Sequence, residues 1–343
     1  MSSIPRDERS RAQRGGEECN QVQRDERSRA QRGGEECNQV PRDERSRAQR
    51  GGEECNQVPR DERSRAQRGG EECNQVQRAR KAGVLGSPIA HSKSPQLHLA
   101  AYRALGLHDW TYDRIECTAE QLPGVVGGLG PEWVGVSVTM PGKFAALAFA
   151  DERTARAEQV GSANTLVRTP GGWRADNTDI DGVAGALGEA SGQALVAGSG
   201  GTAPAAVVGL ATLGVSGITV VARNPDKAAR LVELGAQVGV ATTFCGLDDD
   251  TLTDAVADAQ VLVSTLPADV AARYAETFAT IPVLLDAIYS PWPTPLAAAV
   301  QAVGGRVVSG LQMLLHQAFA QVEQFTGLPA PREAMTCALA ELD

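Results

Sequence analysis

Lysine is scarce in this sequence: of 33 basic residues only four, Lys81, Lys93, Lys143 and Lys227, are lysines. The other positive charges are arginines, which stay protonated, whereas the proton of a lysine can leave when its surroundings favour the neutral amine. The four histidines have no metal-ligand partners at useful spacing, and the seven cysteines form no C-x-x-C pair. We therefore expect no metal site, no disulfide framework and a reducing, cytoplasmic location.

Large apolar side chains are absent from residues 6–77, where an 18-residue unit, RDERSRAQRGGEECNQV followed by Gln or Pro, occurs four times. Each copy balances four arginines with four acidic residues, and its only hydrophobic residues are Ala, Cys and Val. A solenoid needs a hydrophobic face in every repeat, and a nucleic-acid-binding arm needs net positive charge. We therefore predict a repetitive, disordered N-terminal extension over residues 1–81.

Net positive charge is also absent from the rest of the chain. From residue 82 onward there are 14 basic and 26 acidic residues, a net charge of −12 with neutral histidines. Such a surface argues against nucleic acid and anionic membranes as partners. The uncharged run 190–222 is long enough to cross a bilayer, but its glycines and its proline fit a strand, a loop, a helix and a second strand better. We expect neither a membrane span nor a secretory signal.

Short hydrophobic strands alternate with helical segments from residue 82 to the end. Strands are predicted at residues 82–86, 110–117, 132–139, 193–198, 217–223, 259–265 and 282–287, with a hairpin around Gly171 and Gly172. This alternation predicts an α/β protein with parallel sheets and right-handed crossovers. About 260 residues can bury a substantial core and suggest two domains.

A glycine-rich turn in VAGSGGTAPAA connects a predicted strand to a predicted helix. At Gly198, Gly200 and Gly201, backbone N–H groups can approach a pyrophosphate closely. The next strand ends in VVARNPDK, which supplies three polar side chains and no acidic one at its tip: Arg223, Asn224 and Lys227. That end suits a 2′-phosphate, so the pattern favours NADP over NAD. An ordinary tight turn followed by a helix that begins with proline is the alternative.

Three motifs between residues 91 and 179 place polar or charged side chains at predicted helix starts. HSKSPQ places Ser92 and Ser94 before a helix that would begin at Pro95, and an N-cap serine beside a positive helix end is a natural carboxylate site. SVTMPGK places Lys143 in a first helical turn, where the helix dipole disfavours a positive charge. Asp179 in DNTD begins another helix and could hold that amine in place. Taken singly, each position also fits a helix cap or a solvated charge.

Together these stretches resemble the shikimate dehydrogenase family over about residues 83–340. The matching segments occur in the family's order: HSKSPQ, SVTMPGK, GSANT, NTDIDG, GSGGTAPA, ARNPDKA, DAIYSPWPTPL and GLQMLLHQA. The resemblance implies reversible, NADP-dependent reduction of 3-dehydroshikimate to shikimate, in the pathway to chorismate and the aromatic amino acids. It also implies a substrate-binding and catalytic α/β domain over residues 82–185, completed by C-terminal helices in 311–343, and a Rossmann-type NADP-binding domain over 186–310.

The resemblance also implies roles for individual residues. The catalytic acid–base pair would be Lys143 and Asp179. The substrate would be bound by Ser92, Ser94, Thr139, Asn164, Tyr289 and Gln317. The cofactor would be bound by Gly198, Ser199, Gly200, Gly201, Thr202, Ala203, Arg223, Asn224, Lys227, Thr265, Gly310 and Met313.

Some positions depart from the family pattern. Ser137 stands where asparagine is usual, Gly142 where a larger residue is common, and Ala222 and Asn224 where the family has asparagine and threonine. STLPADVA at 264–271 replaces the usual segment beside the cofactor, so its contacts stay open.

Three other functions share parts of this pattern. One is a quinate/shikimate dehydrogenase that prefers NAD, and another is a non-catalytic shikimate-binding sensor that uses the repeats as an interaction arm. Methylenetetrahydrofolate dehydrogenase has a similar two-domain plan, but the serine pair and the Tyr289 and Gln317 motifs argue against it. We expect only small-molecule partners, shikimate and 3-dehydroshikimate, and a monomer or homodimer.

Overall fold

The computed structural model describes residues 79–341. The four repeats, and with them residues 1–78 of the predicted disordered extension, lie outside the described residues. Lys81, the last residue of that predicted extension, instead begins the first strand. In the part that the structure describes, the chain forms two six-stranded sheets. No helix among these residues is long and apolar enough to cross a bilayer. The uncharged run 190–222 folds into a strand, a helix and a second strand, as its glycines and proline predict.

The first sheet is mixed. Its strands are β1 (Lys81–Gly86), β2 (Thr111–Glu116), β3 (Trp133–Val138), β4 (Glu152–Arg153), β5 (Thr165–Thr169) and β6 (Gly172–Asp176). The order across the sheet is β2-β1-β3-β5-β6-β4. Strands β1, β2 and β3 are parallel, but β5 runs antiparallel to both β3 and β6. The prediction of parallel sheets is therefore wrong here, because the predicted β5–β6 hairpin reverses the chain within the sheet.

Five short helices connect the strands of the first sheet or lead out of it. They are α1 (Ser94–Ala104), α2 (Leu122–Gly127), α3 (Lys143–Phe149), α4 (Ala155–Val160) and α5 (Asp179–Leu187). Helix α4 was not predicted, because its sequence, ARAEQV, is short and has no amphipathic repeat. It begins where Thr154 caps it by accepting a hydrogen bond from the N–H of Ala157.

The second sheet is parallel throughout. Its strands are β7 (Gln193–Ala197), β8 (Gly217–Ala222), β9 (Ala241–Gly246), β10 (Ala259–Ser264), β11 (Val283–Asp286) and β12 (Arg306–Ser309). The order is β12-β11-β10-β7-β8-β9, so the direction of winding reverses between β7 and β10. Ligands of such sheets bind at this switch point, outside the carboxyl ends of the strands. The two strands that the sequence pattern misses, β9 and β12, are the partly exposed edges.

Helices cover both faces of the second sheet. The helices between its strands are α6 (Ala203–Leu213), α7 (Pro225–Gln237), α8 (Leu252–Asp258), α9 (Ala268–Ala272), α10 (Ala275–Phe278) and α11 (Pro295–Ala302). Two further helices follow the last strand of the sheet, α12 (Gly310–Thr326) and α13 (Arg332–Ala340). One core cluster contains Val207 of α6 and Leu231 of α7, and a separate cluster contains Leu252 of α8 and Leu296 of α11. A parallel sheet with helices on both faces is the predicted Rossmann-type arrangement, so this part of the fold prediction is confirmed.

Helix α12 links the two sheets. It begins directly after β12 of the second sheet and packs against α5, α1 and β3. Met313 near its start belongs to a core cluster of the second sheet, whereas Phe319 and Phe325 belong to a core cluster of the first. Helix α13 then packs against α1. The side chains of α12 therefore reach the space between the sheets.

Candidate active site

A cavity of about 240 Å³ is lined by residues from both halves of the fold. All of the predicted catalytic and substrate-binding residues line it, together with three predicted cofactor residues. These are Ser92, Ser94, Thr139, Lys143, Asn164, Thr202, Asp179, Tyr289, Gly310, Met313 and Gln317. The other predicted cofactor residues do not line this cavity.

Lys143 and Asp179, which are 36 residues apart in the sequence, form an ion pair with 2.5 Å between Nζ and Oδ2. Lys143 is the first residue of α3 and Asp179 the first residue of α5. Their side chains are 13% and 9% exposed, so the pair is largely removed from water yet opens on the cavity. Lys143 Nζ also lies 3.4 Å from Thr202 Oγ1, which belongs to the second half of the fold. One amine thus contacts groups from both halves.

Asn164 holds the second oxygen of Asp179. Its Nδ2 donates to Asp179 Oδ1 at 2.9 Å and to Gln317 Oε1 at 3.2 Å. Its Oδ1 accepts from the backbone N–H of Thr178 and from the hydroxyl of Thr165, both at 2.8 Å. Because the amide is bonded on both sides, its orientation is fixed, and both oxygens of Asp179 have a donor.

Gln321 and Ser137 also line the cavity, although neither was predicted as a site residue. Ser137 Oγ donates to Gln321 Oε1 at 2.7 Å and accepts from the Tyr112 hydroxyl at 2.7 Å. Gln321 Nε2 donates to Thr165 Oγ1 at 2.9 Å. Gln321 lies one helical turn after Gln317, so helical spacing was the available signal for it. For Ser137 the sequence offered no such signal apart from its departure from the family pattern.

The serine motif differs in detail from the expectation. Ser94 is the first residue of α1 rather than its N-cap, which is Lys93, and no side chain caps this helix. The N-cap prediction is wrong because the chain already turns helically at Lys93, with φ −94° and ψ −2°. Ser92 Oγ instead accepts from the N–H of Ser94 at 3.4 Å. Both hydroxyls still line the cavity. Tyr289 also lines it, and burial raises the pKa of this phenol, which is therefore neutral at neutral pH.

His98 of α1 lies behind this network. Its ring stacks on Tyr112 with 4.0 Å between centroids, and Nε2 lies 3.3 Å from Gln321 Oε1. Complete burial lowers the pKa of His98 from 6.5 to about 3, and the hydrogen bond to Gln321 opposes this only in part. The imidazole is therefore neutral at neutral pH, with Nε2–H donating to Gln321.

We expect His98 to make the protein sensitive to acid. Since the pKa is 6.5 in the unfolded chain and about 3 in the folded one, the unfolded state binds the extra proton between these values. The free energy of unfolding therefore falls as the pH drops from 6.5 toward 3, by about 2 kcal/mol at pH 5. Urea unfolding at pH 7 and pH 5 should show a smaller loss in His98→Phe than in the wild type. A His108→Asn control, exposed, should match the wild type, and an unchanged loss in His98→Phe would contradict the assignment.

The segment from Gly198 to Ala203, here called the glycine turn, leaves room for a dinucleotide's phosphates. Gly198 has φ +111°, and a Cβ there would lie 2.4 Å from Thr265 Oγ1, so a side chain does not fit. A Cβ at Gly200 would meet nothing within 4 Å, and one at Gly201 would meet only Lys143 Cδ at 3.9 Å. Ser199 lies within the turn, and Thr202 is the N-cap of α6. The open space therefore adjoins both the start of a helix and the lysine.

Of the predicted phosphate-binding residues, Arg223 and Asn224 follow the end of β8, and Lys227 lies in the first turn of α7. The glycine turn follows the adjacent strand β7. Arg223 and Lys227 are exposed cations. Asn224 Oδ1 accepts from the N–H of Lys227 at 2.9 Å and caps α7. Two cations at a strand end that carries no acidic residue at its tip are compatible with a phosphate group.

Gly310 and Met313 lie at the start of α12. A Cβ at Gly310 would lie 2.3 Å from the backbone oxygen of Ala287, so the helix start presses against the loop after β11.

Within residues 79–341, no group of three or more His, Cys, Asp or Glu side chains is arranged to hold a metal ion.

Comparison with known proteins decides the family. The model of the shikimate dehydrogenase substrate binding domain matches residues 84–166, and that of the shikimate 5′-dehydrogenase C-terminal domain matches residues 310–339. The chain is 37% identical over 251 residues to shikimate dehydrogenase (NADP(+)) of Synechococcus sp. (strain JA-3-3Ab), which covers 68% of this chain and 84% of that protein. The chain belongs to the shikimate dehydrogenase family.

Solved structures of shikimate dehydrogenases share the fold. The crystal structure of Mycobacterium tuberculosis shikimate dehydrogenase is 83% identical, covers 77% of this chain and 100% of that one, and has a TM-score of 0.74. Shikimate 5-dehydrogenase from Thermus thermophilus, solved in complex with NADP(H) and shikimate, is 30% identical, covers 76% and 99%, and has a TM-score of 0.65. The family resemblance inferred from the motifs is thus confirmed.

Proposed function

We propose that the chain reduces 3-dehydroshikimate reversibly to shikimate with NADP(H), as a shikimate dehydrogenase of the shikimate pathway. The observation that carries this proposal is the Lys143–Asp179 ion pair, which opens on a polar cavity beside the glycine turn. An amine held by a carboxylate can give a proton to an oxygen and take it back. Together with the family membership, this supports an oxidoreductase that acts on a secondary alcohol and its ketone.

Lys143 and Asp179 would perform the acid–base step. When bound, NADPH supplies the hydride. The ammonium of Lys143 donates a proton to the carbonyl oxygen of the substrate as negative charge develops there, and the amine recovers it in the oxidation direction. Asp179 accepts a hydrogen bond from Lys143 Nζ and thereby aims the amine, while Asn164 holds the other carboxylate oxygen.

The remaining cavity residues suit a hydroxylated acid. We assign the Ser92 and Ser94 hydroxyls to the substrate carboxylate. The hydroxyl and amide groups assigned to the substrate's hydroxyls are those of Thr139, Asn164, Tyr289 and Gln317. Donors and acceptors buried in this way reject a ligand that leaves them unpaired.

We assign the cofactor to the second sheet. The glycine turn would hold the pyrophosphate, and Arg223, Asn224 and Lys227 the 2′-phosphate. Thr265, Gly310 and Met313 would lie on the nicotinamide side. The corresponding domains are residues 82–185 with 311–343 for substrate and 186–310 for cofactor. We further propose a cytoplasmic monomer or homodimer, and light scattering of the purified chain tests its oligomeric state.

Replacing Arg223 by alanine should change the cofactor preference. The guanidinium can bond a phosphate that NAD lacks, and a hydrogen bond to a charged group is worth about 1.5–3 kcal/mol. We therefore expect kcat/KM for NADP⁺ to fall about 10- to 100-fold, with less than about a threefold change for NAD⁺. Arg230→Ala, which removes an exposed arginine of α7, is the matched control. Equal losses with both cofactors would contradict the assignment.

One absorbance assay tests the function as a whole. The full chain is mixed with shikimate or quinate and with NADP⁺ or NAD⁺, and formation of the reduced cofactor is followed by its absorbance. We expect the highest kcat/KM for the shikimate and NADP⁺ pair. Binding of shikimate without any turnover would favour the sensor alternative, and preference for quinate or NAD⁺ would favour the other dehydrogenase.

A further inference from the structure

A cluster of charged residues lies outside the cavity and includes two acidic residues of the segment that carries Asp179. Arg156 of α4 forms ion pairs with two carboxylates, those of Asp176 and Asp181. Its Nε donates to Asp176 Oδ1 at 2.6 Å, and its Nη2 donates to Asp176 Oδ2. Its Nη1 donates to Asp181 Oδ2 at 2.7 Å. One guanidinium thus bonds two acidic residues of the same short segment.

Asp176 is the centre of this cluster. It is buried, and its two oxygens also accept from the Thr154 hydroxyl and from Gln324 Nε2, both at 2.7 Å. Burial raises the pKa of Asp176, but the hydrogen bonds from Arg156 and Thr154 outweigh burial and lower the pKa to about 2. The carboxylate is therefore charged at neutral pH, and it joins α4, the end of β6 and α12.

The two carboxylates held by Arg156 flank Asp179. Asp176 is the last residue of β6, and Asp181 lies in the first turn of α5. Between them, the N–H of Asp179 donates to Asn177 Oδ1 at 3.1 Å, and Asn177 Nδ2 donates to the backbone oxygen of Ser162 at 2.9 Å. The strand-to-helix turn is thus fixed on both sides of the residue that meets Lys143.

We propose that Arg156 is a positioning residue: by holding Asp176 and Asp181 it fixes the turn 176–181 and so the direction in which Asp179 faces Lys143. This inference rests on the proposed function of the Lys143–Asp179 pair. Arginine suits the task because its planar fork bonds both oxygens of Asp176 and still reaches Asp181, whereas lysine offers a single point of charge. A displacement of about 1 Å in a reacting group can cost about 10²-fold in rate.

The test compares steady-state kinetics of the full-length wild type with four variants: Arg156→Gln, Arg156→Lys, Asp181→Asn and Arg153→Gln. We expect Arg156→Gln to lower kcat about 10- to 100-fold per folded molecule, with KM for shikimate within about threefold. Arg156→Lys should recover part of the loss, and Asp181→Asn, which removes one ion pair at a half-exposed site, should lose less. Arg153→Gln, which removes an exposed arginine that bonds only backbone oxygens of Leu147 and Ala148, should match the wild type.

Circular dichroism gives the folded fraction of each variant, and fluorescence titration gives the Kd for NADPH, which should not change. The proposal is overturned if Arg156→Gln keeps the wild-type kcat per folded molecule, or if Arg156→Lys and Arg156→Gln lose activity equally. If Arg156→Gln does not fold, the less buried Asp181→Asn decides, and a wild-type kcat in that variant overturns the proposal. A wild type without turnover would instead contradict the proposed function.

Discussion

Lys143→Ala should lower kcat by about 10³-fold, within the range that a positioned acid or base contributes. The amine lies 2.5 Å from Asp179. Among residues 79–341, the other basic side chain that lines the cavity is His91, so no second lysine or arginine there can replace the amine. KM for shikimate should stay within about threefold, because the hydroxyl and amide groups that surround the cavity are untouched.

Lys81→Ala is the matched control. Lys81 is exposed at the start of β1, so its loss removes a positive charge of the same kind away from the cavity. Steady-state assays with shikimate and NADP⁺ at one pH compare the two variants with the wild type. Near-normal turnover in Lys143→Ala would remove the lysine from the mechanism.

Asp179→Asn should lower kcat by about 10²-fold while keeping the shape of the side chain. The carboxylate accepts from Lys143 at one oxygen and from Asn164 at the other. An amide offers only one acceptor oxygen, so its NH₂ group would face either the ammonium or the NH₂ of Asn164. One of these contacts becomes donor against donor, and the amine loses its fixed position.

A double variant tests whether the two residues act together. Groups that work as a unit have strongly non-additive effects, so Lys143→Ala with Asp179→Asn should be about as slow as Lys143→Ala alone. Asp258→Asn, at the exposed end of α8, is the control for loss of one carboxylate. Additive losses in the double variant would show that Asp179 acts independently of Lys143.

The fold was predictable where hydrophobic runs are flanked by glycines. Strand β7, the glycine turn and helix α6 follow from such a pattern, and so does the hairpin between β5 and β6. Strand β9, with the sequence ATTFCG, and strand β12, with RVVS, are sheet edges that bury few side chains, so hydrophobic alternation is weak in both. The mixed order of the first sheet depends on long-range pairing, which local patterns do not encode.

The site was predictable only in part. Motifs named the residues that now surround the cavity, but their roles stay predictions until the variants are assayed. Lys143 and Asp179 are 36 residues apart, and the tertiary fold brings them together, so spacing alone would not have paired them. Arg156 has no local signal at all: its partners lie 20 and 25 residues further on, and α4 itself was missed.

Helix α12 has a consequence for protein engineering. Its first turn carries Gly310 and Met313 beside the cavity, Gln317 bonds Asn164, and Gln324 bonds Asp176 near its far end. A chimaera that takes its nucleotide-binding half from a relative must therefore be spliced before this helix or after it. A splice within the helix, or a change in its length, would rotate the glutamines of one parent away from the partners supplied by the other.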